Sequence, residues 1–240
     1  MIYLVALKVF LVMTIIGAFS SGIGGVISCV IKTNSKNMIS ALYDLTAGIM
    51  TAIVCFDMIP ECFEISNLPI TITGIIIGVI IIIIIEKCAN KLNNSKYSRL
   101  SFMIIIAMAF HNFIEGIAIG SSYMYSFALG TTILISMILH DIPEGMVVGI
   151  TSKVDIKDTK KTMLNSVLAG VFTGVGALVG YLMGGINRVY IAICLSIAAG
   201  SMLYIVSCDL IPSSKNISKN KKVYIMYIVG ILIGAIITKI

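Results

Sequence analysis

An all-α integral membrane protein of eight transmembrane helices, arranged three, two, three with inverted repeats, is the fold this sequence predicts. Composition is the first reason. Of 240 residues, 58% are apolar and 12% charged, with a mean hydropathy of +1.06, outside the range of ordinary soluble domains. The second reason is where the charges fall, and the third is a set of internal repeats at constant offsets.

Apolar stretches of roughly 20 residues, long enough to cross a hydrocarbon core, lie at 4–30, 38–60, 68–86, 100–122, 125–151, 163–185, 189–212 and 222–239. The first has neither the basic start nor the cleavage site of a signal peptide and runs on through glycines, so it reads as a true helix. Basic residues then alternate between loops. Lys32 and Lys36 follow the first span; Lys87, Lys91, Lys96 and Arg99 follow the third. Lys153, Lys157, Lys160 and Lys161 follow the fifth; Lys215, Lys219, Lys221 and Lys222 follow the seventh. Only Lys8, Arg188 and Lys239 fall on the other side, fourteen against three. By the positive-inside rule both termini face away from the cytoplasm, and the number of spans is even. The net charge of +6 is thereby a matter of topology in a lipid bilayer and implies no nucleic-acid partner.

Span two repeats as span seven. Ala47-Gly48-Ile-Met50 followed by Asp57-Met-Ile-Pro60 matches Ala199-Gly200-Ser-Met202 followed by Asp209-Leu-Ile-Pro212 at an offset of 152. Gly17-Ala-Phe19-Ser20 and Gly170-Val-Phe172-Thr173 match weakly at 153, making span one the counterpart of span six. Five crossings separate each span from its copy, so the copies run in opposite directions, a plan that recurs in secondary transporters. One transmembrane domain, 1–240, results: a first repeat 1–90, central helices 99–151 and a second repeat 163–240. The loops carry no domain of their own. Gly22, Gly24 and Gly25 in span one and Gly170, Gly174, Gly176, Gly180 and Gly184 in span six suit close helix packing. The six cysteines form no C-x-x-C pair and read as buried free thiols, with Cys62 and Cys208 near acids and open to a minor role as soft ligands.

Spans four and five carry the chemistry. The only two histidines stand in His111-Asn112-Phe-Ile-Glu115-Gly116 and His140-Asp141-Ile-Pro143-Glu144-Gly145, 29 residues apart and inside apolar segments. Positions i and i+4 share a helix face, so each His and Glu converge. Ionisable groups at membrane depth mark functional sites by default. Two imidazoles with amide and carboxylate oxygens suit zinc, iron, manganese, cobalt or cadmium better than calcium, magnesium or copper(I). Because i+1 is rotated about 100° from i, two adjacent ion positions arise: His111 and His140 with the glutamates, and Asn112 and Asp141 with the glutamates. Glu115 and Glu144 bridge them. Pro143 within the motif removes a backbone N–H and frees the carbonyl of Leu139 beside the site. Asp57 and Asp209, each three residues before a proline, form a symmetric pair that attracts cations at the two mouths or simply faces water at the interface. Met50 and Met202 read as core packing, with a thioether contact the alternative.

At these motifs the chain resembles the ZIP (Zrt/Irt-like) family of divalent metal-ion transporters, in its short bacterial GufA/ZupT-type form. That family carries H-N-x-x-E-G in span four and H-x-x-P-E-G in span five, matched here at His111, Asn112, Glu115, Gly116, His140, Pro143, Glu144 and Gly145. The resemblance covers nearly the whole chain. It implies a binuclear site, inward movement of metal toward the cytoplasm, and Met50 as a span-two thioether contact. Many relatives place a Glu-Pro pair in span six at the second ion position, where this chain has Thr173 and Gly174, and Glu after the span-seven proline, where it has Ser213. A His-rich loop between spans three and four is missing, so control by loop metal binding is not expected. Metal is thus expected as substrate, zinc foremost, with no resident cofactor; a homodimer is compatible with this reading. Both histidines ordinarily titrate near neutrality, so a proton competes with the metal.

The rival classes are an intramembrane metal-dependent hydrolase and a metal sensor. No H-E-x-x-H stands in the chain, and no separate general base remains once ligands are assigned, so the hydrolase lacks its machinery. Metal flux separates a transporter from a sensor.

Overall fold

The computed structural model describes residues 2–31, 35–92, 99–156, 158–183 and 188–238; Lys32, Lys96, Lys157, Gly184 and Lys239 lie outside them. Helices account for nearly all of it: α1 (Ile2–Val30), α2 (Lys36–Ile53), α3 (Ile59–Ile65), α4 (Leu68–Leu92), α5 (Arg99–Tyr125), α6 (Phe127–Ile156), α7 (Thr159–Leu182), α8 (Arg188–Tyr204), α9 (Ile211–Ile217) and α10 (Ile225–Ile237). Runs of Ile, Leu and Val in lipid leave the helix as the way to satisfy every backbone group within one segment.

Seven spans have the length and apolarity to cross a membrane, α2 with α3 and α8 with α9 each making one. The eighth apolar helix, α10, has thirteen residues, about 20 Å of rise, and is shorter than the 222–239 expected, because the chain turns through residues 221–224 before it starts. Spans two and seven run past Pro60 and Pro212, which the sequence reading placed at their ends. Both pass the proline by the same device: π-helical turns at Val54–Met58 and Ile205–Leu210 just ahead of it. A proline ring clashes with the carbonyl four residues back, and a widened turn relieves that crowding.

Two packed groups form. Helices α1, α5, α6 and α7 pack against one another, and α2, α4 and α8 pack with α3, α9 and α10. In the first group, backbones touch at glycines. A Cβ on Gly17 would meet the carbonyl of Gly170, and one on Gly170 that of Gly17. Packing is therefore what the small residues of α1 and α7 supply. The α1 end is held by Lys153 of α6, whose Nζ donates to the carbonyls of Ser28 (3.0 Å), Cys29 (3.1 Å) and Ile31 (2.7 Å). The carbonyls of Ser28 and Cys29 lie in the last turn of α1 and that of Ile31 just past it, where a helix leaves its final carbonyls in need of donors, and a cation there also meets the negative end of the helix dipole. Asp158 caps the start of α7, accepting from the backbone N–H groups of Lys160 and Lys161.

Apolar side chains such as Leu11, Ile15, Phe19, Ile76, Ile80, Ile84, Leu232 and Ile236 face outward, as lipid contact requires. Two buried clusters fill the interior. Met50, Met108, Val147, Met202 and Ile205 pack toward the lysine-rich end, and Met13, Ile119, Ile133, Met137 and Leu195 toward the other. All six cysteines are free. Cys62 and Cys194 are buried, but Cys55, Cys88 and Cys208 are exposed on helix surfaces and Cys29 is half-buried, so the expectation of buried thiols holds for two.

A candidate metal centre between two helices

Only Ser126 separates α5 from α6, so the two run back against each other. His111 lies fourteen residues before the end of α5 and His140 thirteen after the start of α6, which sets them at matching depth. The glycines after the glutamates set the approach of the neighbours. A Cβ on Gly116 would meet the carbonyl of Thr173, and one on Gly145 that of Ser21. Thus α5 docks on α7 and α6 on α1 at the very level of Glu115 and Glu144.

His111, Glu115 and His140 come together as three buried groups whose ligand atoms lie within 4.8 Å of one another. His140 Nε2 stands 2.6 Å from Glu115 Oε1; His111 Nε2 stands 3.3 Å from the same oxygen and 3.1 Å from Glu144 Oε1. His111 Nδ1 is 3.2 Å from the carbonyl of Ala198, and a carbonyl only accepts, so Nδ1 carries the proton and donates. In the neutral ring Nε2 then offers a lone pair toward two carboxylates. Acceptors facing acceptors in a buried space need a proton or a metal cation between them. A divalent ion bound by imidazole nitrogen and carboxylate oxygen answers that need.

Asn112 and Asp141 are equally buried but turn to other partners. The Asn112 amide donates to the carbonyl of Ala169 at 3.1 Å, and Asp141 Oδ2 accepts from the hydroxyl of Ser20 at 2.6 Å. Sequence reasoning passed over Ser20; its signal was a Ser-Ser pair in an apolar span.

A cavity of ≈ 50 Å³ opens onto the site, lined by Glu115 and His140 together with Asp57, Met58, Glu61, Ile119, Thr132, Ile133, Met137 and Leu195. A second of ≈ 270 Å³ shares Asp57, Thr132 and His140 with it and continues past Leu139 to Thr238. Asp57 therefore shares a space with two of the buried ligand residues. Glu61, one residue past Pro60, does the same and escaped the sequence reading. Asp209 lies in the π turn near the lysine-rich end and lines neither cavity. Met50 is fully buried in the apolar cluster with Met108 and Met202.

Fold and site together define a multi-pass membrane protein with a buried histidine and glutamate cluster that fits a metal ion. The profile of the family described as ZIP Zinc transporter matches residues 89–239, and the chain belongs to that family. The zinc transporter ZupT of Streptococcus mutans is 27% identical over 249 aligned positions, covering 94% of this chain and 94% of that protein. ZupT of Clostridium perfringens is 25% identical, with 93% of each chain covered. Mouse zinc transporter ZIP4 is 26% identical over 140 positions, 56% of this chain and 21% of its own length.

Proposed function

We propose that this protein moves divalent transition-metal ions, zinc foremost, across the membrane toward the cytoplasm, through the buried set made by α5 and α6. The observation that carries this is the convergence of His111, Glu115 and His140, with Glu144 at ion-pair distance from His111, below a cavity edged by Asp57 and Glu61. Asp57 attracts the ion, Glu115 and His140 take it from the cavity, and His111 and Glu144 complete its surroundings. Asn112 and Asp141 supply the second position. The three relatives reported above are named as zinc transporters, and no observation favours the hydrolase or the sensor.

The topology belongs to the same proposal: lysine-rich loops in the cytoplasm, both termini outside, and first and second repeats of opposite direction around the central pair. The matched π turns at Val54–Met58 and Ile205–Leu210 support the repeat. The test is zinc uptake into proteoliposomes, with iron, manganese and cadmium as competitors, for wild type and the double variant His111→Ala/Glu144→Ala. Loss of flux in the variant is expected. Metal binding without flux in the wild type overturns transport and returns the sensor.

A further inference from the structure

Lysines gather on one surface at the end of the molecule where α2 and α10 begin. The two helices lie side by side and run the same way, since a Cβ on Gly48 would meet the carbonyl of Tyr227 and one on Gly234 the side chain of Ala52. Lys36 opens α2, Lys215 stands on α9, and Lys219, Lys221 and Lys222 lead into α10; all five are exposed. Hydrogen bonds join the segments that carry them. The Ser218 hydroxyl donates to Asn37 Oδ1 at 2.6 Å, and the Ser40 hydroxyl donates to the carbonyl of Ser214 at 3.0 Å. The backbone N–H groups of Asn220 and Lys222 donate to Ser218 Oγ and Asn220 Oδ1, and the Tyr224 hydroxyl closes the turn on the carbonyl of Ser218 at 3.3 Å. The lysines therefore ride on a fixed platform.

The charge on this platform has no counterpart in the chain around it. Residues 31–43 and 210–240 contain no Asp or Glu; Asp44, buried beneath, interacts with Lys215 and leaves the other four. Other lysines are already committed: Lys153 to three carbonyls, and Lys160 and Lys161 beside Asp158, whose carboxylate caps α7. Helix physics sharpens the imbalance. The first turn of a helix is its positive end and favours an acid, yet neither α2 nor α10 has an acid in its first turn or a side chain capping it. Cations stand at both starts instead, which leaves a place for an anion supplied from outside the chain.

The chemistry of that anion is set by what lies next to it. Ile225, Ile228, Leu232 and Ile236 follow the lysines as an exposed apolar stripe along α10, so an anion seated on Lys221 and Lys222 has a hydrocarbon surface directly beside it. With thirteen residues, α10 rises about 20 Å, short of a hydrocarbon core of about 30 Å, and headgroups draw in toward its ends. We infer that the surface formed by Lys36, Lys215, Lys219, Lys221 and Lys222 binds the headgroup of an anionic phospholipid, whose acyl chains lie along the 225–236 face of α10. The lipid bridges the starts of α2 and α10 and neutralises their lysines. Nothing in this depends on what the metal cluster carries.

The test is binding of phosphatidylglycerol and of phosphatidylcholine with the same acyl chains to the full chain in detergent, read by native mass spectrometry and by the rise in Tm. Wild type should prefer phosphatidylglycerol by about fivefold or more, the worth of one lysine near an anionic surface, and raised salt should narrow the preference. Lys221→Gln/Lys222→Gln should weaken phosphatidylglycerol binding by about fivefold for each lysine removed and leave phosphatidylcholine binding and the lipid-free Tm unchanged. Lys160→Gln/Lys161→Gln removes the same charge beside Asp158 and should keep wild-type binding. Equal affinity of the wild type for the two lipids overturns the inference and needs no variant to fold. Full phosphatidylglycerol binding by Lys221→Gln/Lys222→Gln overturns it too, as does an equal loss in Lys160→Gln/Lys161→Gln, because net charge alone would then explain the preference. Soluble glycerol phosphate binding as tightly as phosphatidylglycerol overturns a lipid as the occupant.

Discussion

His140 reaches across to Glu115 on the neighbouring helix at 2.6 Å, closer than His111 at 3.3 Å, which shares that glutamate's own helix face. Glu115 is therefore the shared oxygen of the cluster. Replacing it with Gln keeps the shape and removes the charge that faces both rings. Zinc affinity should fall by about a hundredfold or more, beyond the 10–100-fold typical of supporting residues around a metal. Isothermal titration of Glu115→Gln in detergent checks this, and a change under threefold refutes it.

That relationship also shows where sequence reasoning stops. The i, i+4 rule placed His111 with Glu115 and His140 with Glu144, and apolar length with loop charge placed the helices. The shorter cross-helix pair depends on how α5 and α6 are rotated about their axes, which no single-helix period encodes. For the same reason Ser20 and Glu61 went unnoticed: each reaches the site from a helix whose own pattern says only that it is apolar. Asp209 matched Asp57 in sequence but not in surroundings, since only Asp57 lines the cavities that reach the site.

Glu61 shares the smaller cavity with Glu115 and His140 but is only half-buried, so it acts on the arriving ion more than on the bound one. Glu61→Gln should raise KM for zinc about three- to tenfold with little change in kcat, the mark of weakened electrostatic capture. The difference should shrink as ionic strength rises. Uptake at two salt concentrations measures both effects.

Acidification should slow uptake. Imidazole binds metal through a neutral nitrogen, and proton and metal compete for it. Lowering pH protonates the rings and removes binding-competent nitrogens, so the loss appears on the acid side and reverses when the pH is raised again. Flux that does not fall on acidification contradicts the assignment of both histidines.

Adding one methyl group at Gly116 drives it into the carbonyl of Thr173. Gly116→Ala should lower stability by about 1–3 kcal/mol, the usual range for overpacking, and separate α5 from α7 beside Glu115. Thermal unfolding in detergent should show a lower Tm with zinc uptake reduced in parallel. A variant of unchanged Tm and flux shows that these backbones can part freely.

Lys153 ties three carbonyls at the end of α1 to α6. Lys153→Met keeps the apolar stem and removes the donors, which should cost about 1–3 kcal/mol. Amide exchange in residues 26–31 should rise while the centre of α1 keeps its protection.

The π turn at Val54–Met58 carries a consequence for engineering. A widened turn holds one residue more than the regular ladder needs, so it shifts the angular phase of everything downstream by about 100°, the rotation of one residue. Glu61 and Cys62 lie beyond that shift, one lining the cavity and the other buried against α8 through the carbonyl of Ala192. Deleting a single residue there would leave the helix continuous and turn Glu61 out of the cavity. The acid's view of the ion is thus set by the pitch of the same turn that carries Asp57 to the cavity wall.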